Sequence, residues 1–185
     1  MDIYFATSNK NKFIETKELF TNKITLKHFP FSYNEMRSDS LEEISIDATE
    51  SAYKKIKKPI FTEDSGLFIN SLNGFPGTYS SWVLKKLKNE GILKLLKGEK
   101  IRGASFKCSI SFKDNQTIKV FTGEIKGKIS EKIEGKDGFG YDPIFIPEGC
   151  DQTFAQNITL KKQLSHRYNA LSALKRYIFE YYKLR

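Results

Sequence analysis

The chain has 185 residues, 39% hydrophobic and 14% aromatic, which suits one domain over residues 1–185 with a sizeable core and up to two lobes. Its formal charge of +9 fits a nucleic acid or a polyanionic nucleotide, but the lysines are scattered, so charge alone separates neither from a solvated surface. No apolar run approaches the ~20 residues of a membrane-spanning helix, Met1-Asp2-Ile3-Tyr4 lacks the order of a signal peptide, and Cys108 and Cys150 show no metal-type spacing with His28 and His166, so a cytoplasmic protein with reduced thiols is expected.

Ile3-Tyr4-Phe5-Ala6-Thr7 reads as a first strand, followed by a helix to about Phe20 with Phe13, Leu19 and Phe20 apolar. Between them lies Thr7-Ser8-Asn9-Lys10-Asn11-Lys12. Small polar residues at such a junction can cap the helix. They can also bind an anion, because the free N–H groups and dipole of a helix N-terminus attract phosphate, and Lys12 would add a full positive charge. The glycines of a Walker loop are missing, and capping is the plainer reading. Ile24 to Phe31 suggests a second strand, and residues 34–39 a polar loop. Ser40 is placed to cap a helix with Glu42 and Glu43 in its first turn, whose stripe of Leu41, Ile44, Ala48, Ala52 and Ile56 ends at Lys57-Lys58-Pro59. Glu35 is the acid best placed to cross from that loop into a crevice, although most such glutamates are simply solvated.

Pro59-Ile60-Phe61-Thr62 reads as a short buried strand that ends in Glu63-Asp64-Ser65-Gly66. Ligands of open α/β sheets collect just beyond the carboxyl ends of strands. Paired carboxylates there suit a metal or a water, whereas Asp, Ser and Gly also build ordinary turns. Gly74, Pro76 and Gly77 force a turn-rich segment before a helix with Trp82, Val83 and Leu87, and Ile92 to Leu96 form another short helix. Phe106, Cys108, Ile110 and Phe112 alternate with Lys107, Ser109, Ser111 and Lys113, a strand signal. The return strand switches apolar phase at Val120-Phe121, which implies a bulge or strong twist. Residues 135–140 form a glycine-rich loop and Pro143 to Ile146 a strand. Phe139 could stack on a nucleobase or plug the core beneath its loop. Ser165 caps a last helix with Ala170, Leu171, Leu174, Ile178 and Tyr181 on its apolar face. His166 and Arg167 then fall in its first turn, where the dipole prefers anions, and misplaced positive charge there points to a ligand.

Four segments in this order resemble the inosine triphosphate pyrophosphatase, or Ham1-like, family. They are Thr7-x-Asn9-x-x-Lys12; Glu63-Asp64-Ser65-Gly66-Leu67 with Leu72-x-Gly74-x-Pro76-Gly77-x-x-Ser80; Gly138-Phe139-Gly140-Tyr141-Asp142-Pro143-Ile144-Phe145; and Ser165-His166-Arg167. The resemblance spans nearly the whole chain. It implies an α/β fold (mixed α+β), a long twisted mixed β-sheet flanked by helices, with two lobes, a central cleft and a homodimer. It implies hydrolysis of the purine nucleoside triphosphates ITP, dITP and XTP to monophosphate and pyrophosphate, cleansing the nucleotide pool. The cofactor would be Mg²⁺, for which Mn²⁺ can substitute, and neither nucleic acid nor membrane is an implied partner. Carried over by position, Thr7, Ser8, Asn9, Lys10, Asn11, Lys12 and Lys161 contact the triphosphate. Glu35 and Asp64 serve the metal, Asp64 is the proton acceptor, and Ser65 contacts substrate. Phe139, Gly140, Tyr141 and Asp142 with His166 and Arg167 form the base pocket.

The residue types agree with that chemistry. Displacing pyrophosphate from an α-phosphorus needs charge neutralisation and an in-line water, which a carboxylate such as Asp64 can orient or deprotonate. Arg167 is expected to donate toward a 6-oxo group, a bond that the amino group of adenine cannot accept. Three rivals stand beside this reading. A non-catalytic nucleotide-binding module gains little from Asp64 beside Glu63. An RNA-binding protein would show a steep salt dependence. A Maf-like nucleotide pyrophosphatase fits Ser165-His166-Arg167 poorly.

Overall fold

The computed structural model describes residues 1–20, 23–33 and 36–183. The elements run β1 (Asp2–Ala6), α1 (Lys10–Lys17), β2 (Thr25–Phe29), α2 (Leu41–Ile56), β3 (Ile60–Ile69), β4 (Pro76–Gly77), α3 (Ser80–Leu95), β5 (Gly103–Lys113), β6 (Ile118–Ile129), β7 (Phe145–Pro147), α4 (Ile158–Leu164) and α5 (His166–Tyr181). Among the described residues seven strands make one sheet in the order β2-β1-β3-β5-β6-β7, with β4 paired to β3. It is a mixed sheet: β1 runs parallel to β2 and β3, whereas β4 opposes β3 and β7 opposes β6. This is the mixed α/β class expected. No helix among the described residues is long and apolar enough to cross a membrane.

The chain divides into two compact units, one of Met1–Asp64, Cys108–Gly123 and Arg167–Arg185, the other of Ser65–Lys107 and Glu124–His166. In the first unit, strand alternation buries Ile3, Phe5, Phe61, Cys108, Ile110 and Phe112 against Ala170, Leu171, Leu174 and Ile178 of α5. Each such Leu, Ile or Phe contributes about 1.5–3 kcal/mol by leaving water. The opposite face, under α2, carries small hydroxyls instead. Thr62 donates to the Ser45 carbonyl at 2.8 Å and Thr49 to the Ser111 carbonyl at 2.9 Å, whereas the buried Ser111 Oγ has no partner among the described residues. The α2 cap is the one the spacing predicts, with Ser40 Oγ accepting from the Glu43 amide at 3.2 Å. In the second unit Leu67, Ile69, Val83, Ile92, Phe106, Ile129, Phe145 and Phe154 form the core.

Several elements differ from expectation. β3 spans ten residues, so Glu63, Asp64, Ser65 and Gly66 lie within it rather than beyond its end. Leu67 and Ile69, both fully buried, resume the apolar phase, and Gly66 lets β4 approach: a Cβ there would stand 2.2 Å from the Gly77 carbonyl oxygen. Pro76-Gly77 is correspondingly a strand rather than a free turn, after a cis Phe75–Pro76 bond. Only Phe145 to Pro147 of the segment after Gly140 is strand, and Asp142 to Ile144 make a 3₁₀ turn. The apolar phase switch at Val120 needs no bulge, because burial alternates regularly from Val120 to Ile129 and Ile118 and Val120 are simply exposed. α1 stops at Lys17, and α4 was not foreseen.

Candidate active site

In the first unit, the residues after β1 form a cap. Asn9 Oδ1 accepts from the amides of Asn11 at 3.0 Å and Lys12 at 3.3 Å, and Thr7 Oγ1 accepts from the Asn9 amide at 3.1 Å. These bonds hold the start of α1 and leave Ser8, Lys10 and Asn11 exposed. Lys12 points the other way. Its Nζ lies 3.3 Å from Glu63 Oε1 and donates at 3.4 Å to the Glu63 carbonyl, the oxygen of the peptide that joins Glu63 to Asp64.

Glu63 is the hub of this half. Its side chain is fully buried, and Arg167 grips it with two parallel bonds, Nε to Oε2 at 2.8 Å and Nη2 to Oε1 at 2.9 Å. Arg167 Nη1 reaches Glu15 Oε2 at 2.7 Å. Burial would lower the affinity of Arg167 for its proton, but Glu63 and then Glu15 reverse that and hold the guanidinium charged. The cation in the first turn of α5 is therefore matched by carboxylates, which offset its clash with the helix dipole. Sequence reasoning missed both partners: Glu15 looks like any solvated helix residue, and Glu63 stood in the shadow of Asp64. Burial, and after it Glu63, pushes the Cys108 thiol well above its usual range, so it stays a protonated packing group.

Asp64 follows Glu63 on a strand, so its side chain takes the other face. Thr62 shares that face and bonds Ser45 of α2, so Asp64 stands on the α2 side of β3, half exposed. Glu42 and Glu43 accept from Ser40 Oγ and Ser38 Oγ at 3.1 and 2.6 Å in the α2 cap. Glu35, the other expected metal residue, lies outside the described residues. Among the described residues no three His, Cys, Asp or Glu side chains gather as a metal cage. One or two carboxylates are the donor set of an ion that Mg²⁺-type chemistry completes with substrate phosphate and water, a use that the half-exposed Asp64 suits.

The second unit gathers Phe139 and Lys161 around Asp142. Its carboxylate accepts from the Phe139 amide at 2.7 Å and from Lys161 Nζ at 2.7 Å, and that ammonium lies 4.2 Å from the Phe139 ring centre. Lys161 of α4 is thus buried at 3% exposure against the aromatic loop, whereas Lys162 is exposed. Gly138 has a positive φ of 73°, and a Cβ there would meet Asp142 Oδ2 at 2.3 Å, so the loop needs glycine. The Tyr141 hydroxyl donates to the Ser80 carbonyl at 2.9 Å, and burial pushes its pKa up, so it braces the loop against α3. Asn89, unforeseen in the sequence, donates to the Gly140 carbonyl at 3.1 Å. His166 stacks on Phe106 with centres 4.8 Å apart. Ser65 is half exposed in β3. A groove of 510 Å³ elsewhere in this unit, lined among others by Ser105, Lys126 and Cys150, holds none of the expected residues.

The sequence model of the Ham1 family matches residues 3–177. The chain belongs to the Ham1 family. Its match takes in both units and every site residue named above. Within the family, the chain is 45% identical over 177 residues to the dITP/XTP pyrophosphatase of Saccharolobus solfataricus, covering 95% of this chain and 92% of that one. It is 46% identical over 174 residues to the dITP/XTP pyrophosphatase of Methanopyrus kandleri, covering 92% and 93%. Among solved structures it is similar to the Ham1 protein of Staphylococcus aureus, with a TM-score of 0.86 and 33% identity over 98% of this chain and 100% of that one.

Proposed function

We propose that this Ham1-family chain is a nucleoside triphosphate pyrophosphatase that converts dITP, ITP and XTP to the monophosphate and pyrophosphate, as a single functional domain and a cytoplasmic homodimer without nucleic-acid or membrane partners. The observation that carries this reading is the setting of Asp64: a cationic side chain from the first turn of α1, Lys12, is bonded to the very peptide that precedes it. A cation beside a half-exposed carboxylate is what a triphosphate and an attacked water require together. The relatives named above supply the substrate class.

In this reading Lys12, the exposed side chains of Ser8, Lys10 and Asn11 and the amides of Ser8 and Lys10 neutralise and orient the triphosphate. Asp64 takes the proton of the water that attacks the α-phosphorus, the bond from that phosphorus to the bridging oxygen breaks, and pyrophosphate carries the electron pair away. Asp64 and Glu35 would hold Mg²⁺, which supplies charge neutralisation on the phosphates. Phe139 stacks on the purine, in a loop that Asp142 and Lys161 keep in shape. Three of the five N–H groups of Arg167 face carboxylates, which fixes the plane of the guanidinium that we assign to the 6-oxo group. Asp64→Asn keeps the size and removes the base. It is expected to cut kcat for dITP by about 10²–10⁴ while nucleotide binding persists, read as pyrophosphate release and as equilibrium binding. Full activity would refute the role of Asp64.

A further inference from the structure

Glu63 has no part in the chemistry above, yet it meets cations from two helices. Lys12 comes from the first turn of α1, assigned to phosphate together with the loop before it, and Arg167 from α5, assigned to the base. The bidentate guanidinium alone is a complete partner for a buried carboxylate. With Arg167 on both oxygens, and shared with a Glu15 side chain that is 23% exposed, the second cation is not needed to satisfy the bonding of this carboxylate. It has a different consequence: an ammonium held on Glu63 must share or leave that carboxylate when a phosphate arrives, and this weakens binding of every triphosphate whatever its base. The same carboxylate, through Arg167, holds the group that inspects the base.

We propose that Glu63 is a positioning residue for specificity, restraining Lys12 and fixing Arg167, so that the phosphates shared by all nucleotides bind weakly and the base decides occupancy. This rests on the pyrophosphatase reading. Affinity for the common part of good and bad substrates adds nothing to discrimination, whereas an oriented donor to the base adds much. Arg167 keeps Glu63 neutralised when Lys12 turns to phosphate, which makes the exchange tolerable for a buried charge.

The test uses the full-length enzyme with Mg²⁺ and two readouts: inhibition by inorganic tripolyphosphate, which has no base, and kcat/KM for dITP over dATP. Glu63→Gln is expected to tighten tripolyphosphate inhibition by about tenfold, the scale of one charge-assisted contact, and to lower the dITP preference by about tenfold or more. A residue that merely supports the fold would not move these two in opposite senses, since neither ratio depends on the fraction of active protein. In a Lys12→Met background the Glu63→Gln change should leave tripolyphosphate inhibition unmoved; an equal effect with and without Lys12 would overturn the coupling. If Glu63→Gln does not fold, Glu63→Asp keeps the charge but cannot reach both cations, and the same two shifts are expected. Unchanged preference, or inhibition that is equal or weaker in the folded variant, refutes the proposal. Absence of dITP turnover by the unaltered enzyme refutes the function instead.

Discussion

Arg167 holds a buried carboxylate as well as the place assigned to a base-reading donor, and the two duties respond differently to substitution. Arg167→Ala would leave Glu63 buried with Lys12 as its remaining cation among the contacts described above. Removing one side of such a pair costs about 3–5 kcal/mol, so the variant is expected to unfold at markedly lower urea, and a loss under 1 kcal/mol would contradict the ion-pair account. Its catalytic defect would mix misfolding with misreading, and lysine, which cannot reproduce the planar fork, is no conservative replacement. As candidates, Lys12, Asp64 and Arg167 were legible in the sequence from charge placed at a helix start or a strand end, and Asp142 entered through the family resemblance. Their partners were not. Arg167 meets Glu63 and Glu15 across 104 and 152 residues of chain, and no local periodicity encodes such pairings. The same holds for Lys161, assigned to the triphosphate by the family resemblance but observed against Asp142 and Phe139.

At the level of elements, α2 and β5 could be read directly, since a capped 3.6-residue stripe and the apolar–polar alternation of residues 106–113 are signals complete within themselves. The turn from β5 to β6 also closes locally, with Asp114 Oδ1 accepting from the amides of Gln116 and Thr117 at 2.8 and 2.9 Å. The extent of β3 could not be read, because its polar middle is admitted by a Gly66–Gly77 approach between separate strands. α4 was hidden by its length of seven residues, too short for a period to show. The two helices expected between Trp82 and Leu96 are two pieces of α3, joined at Lys88 with φ 56° and ψ −173°. That conformation suits glycine and costs another residue about 1–3 kcal/mol. The break lets Asn89 turn to the Gly140 carbonyl, a link from α3 to the aromatic loop. Lys88→Gly is expected to stabilise the protein by about 1 kcal/mol, or raise Tm by about 2–4 °C. A lower Tm in calorimetry would show that the lysine is not strained.

For the whole molecule, the charge of +9 and the scattered lysines exclude little, and the order of four modest motifs says most. The family match over residues 3–177 bears that order out. Position in a sheet then separates the two neighbouring acids: Glu63 faces inward to two cations, and Asp64 faces the α2 side, where a phosphate chemistry can use it. The account stands or falls on pyrophosphate release from dITP, XTP, dATP and dGTP by the full-length protein, with Mg²⁺ and with the metal chelated. It predicts kcat/KM for dITP and XTP about 10² or more above dATP, and no release without a divalent ion. Equal turnover of all four, or undiminished release in the chelated sample, would contradict it.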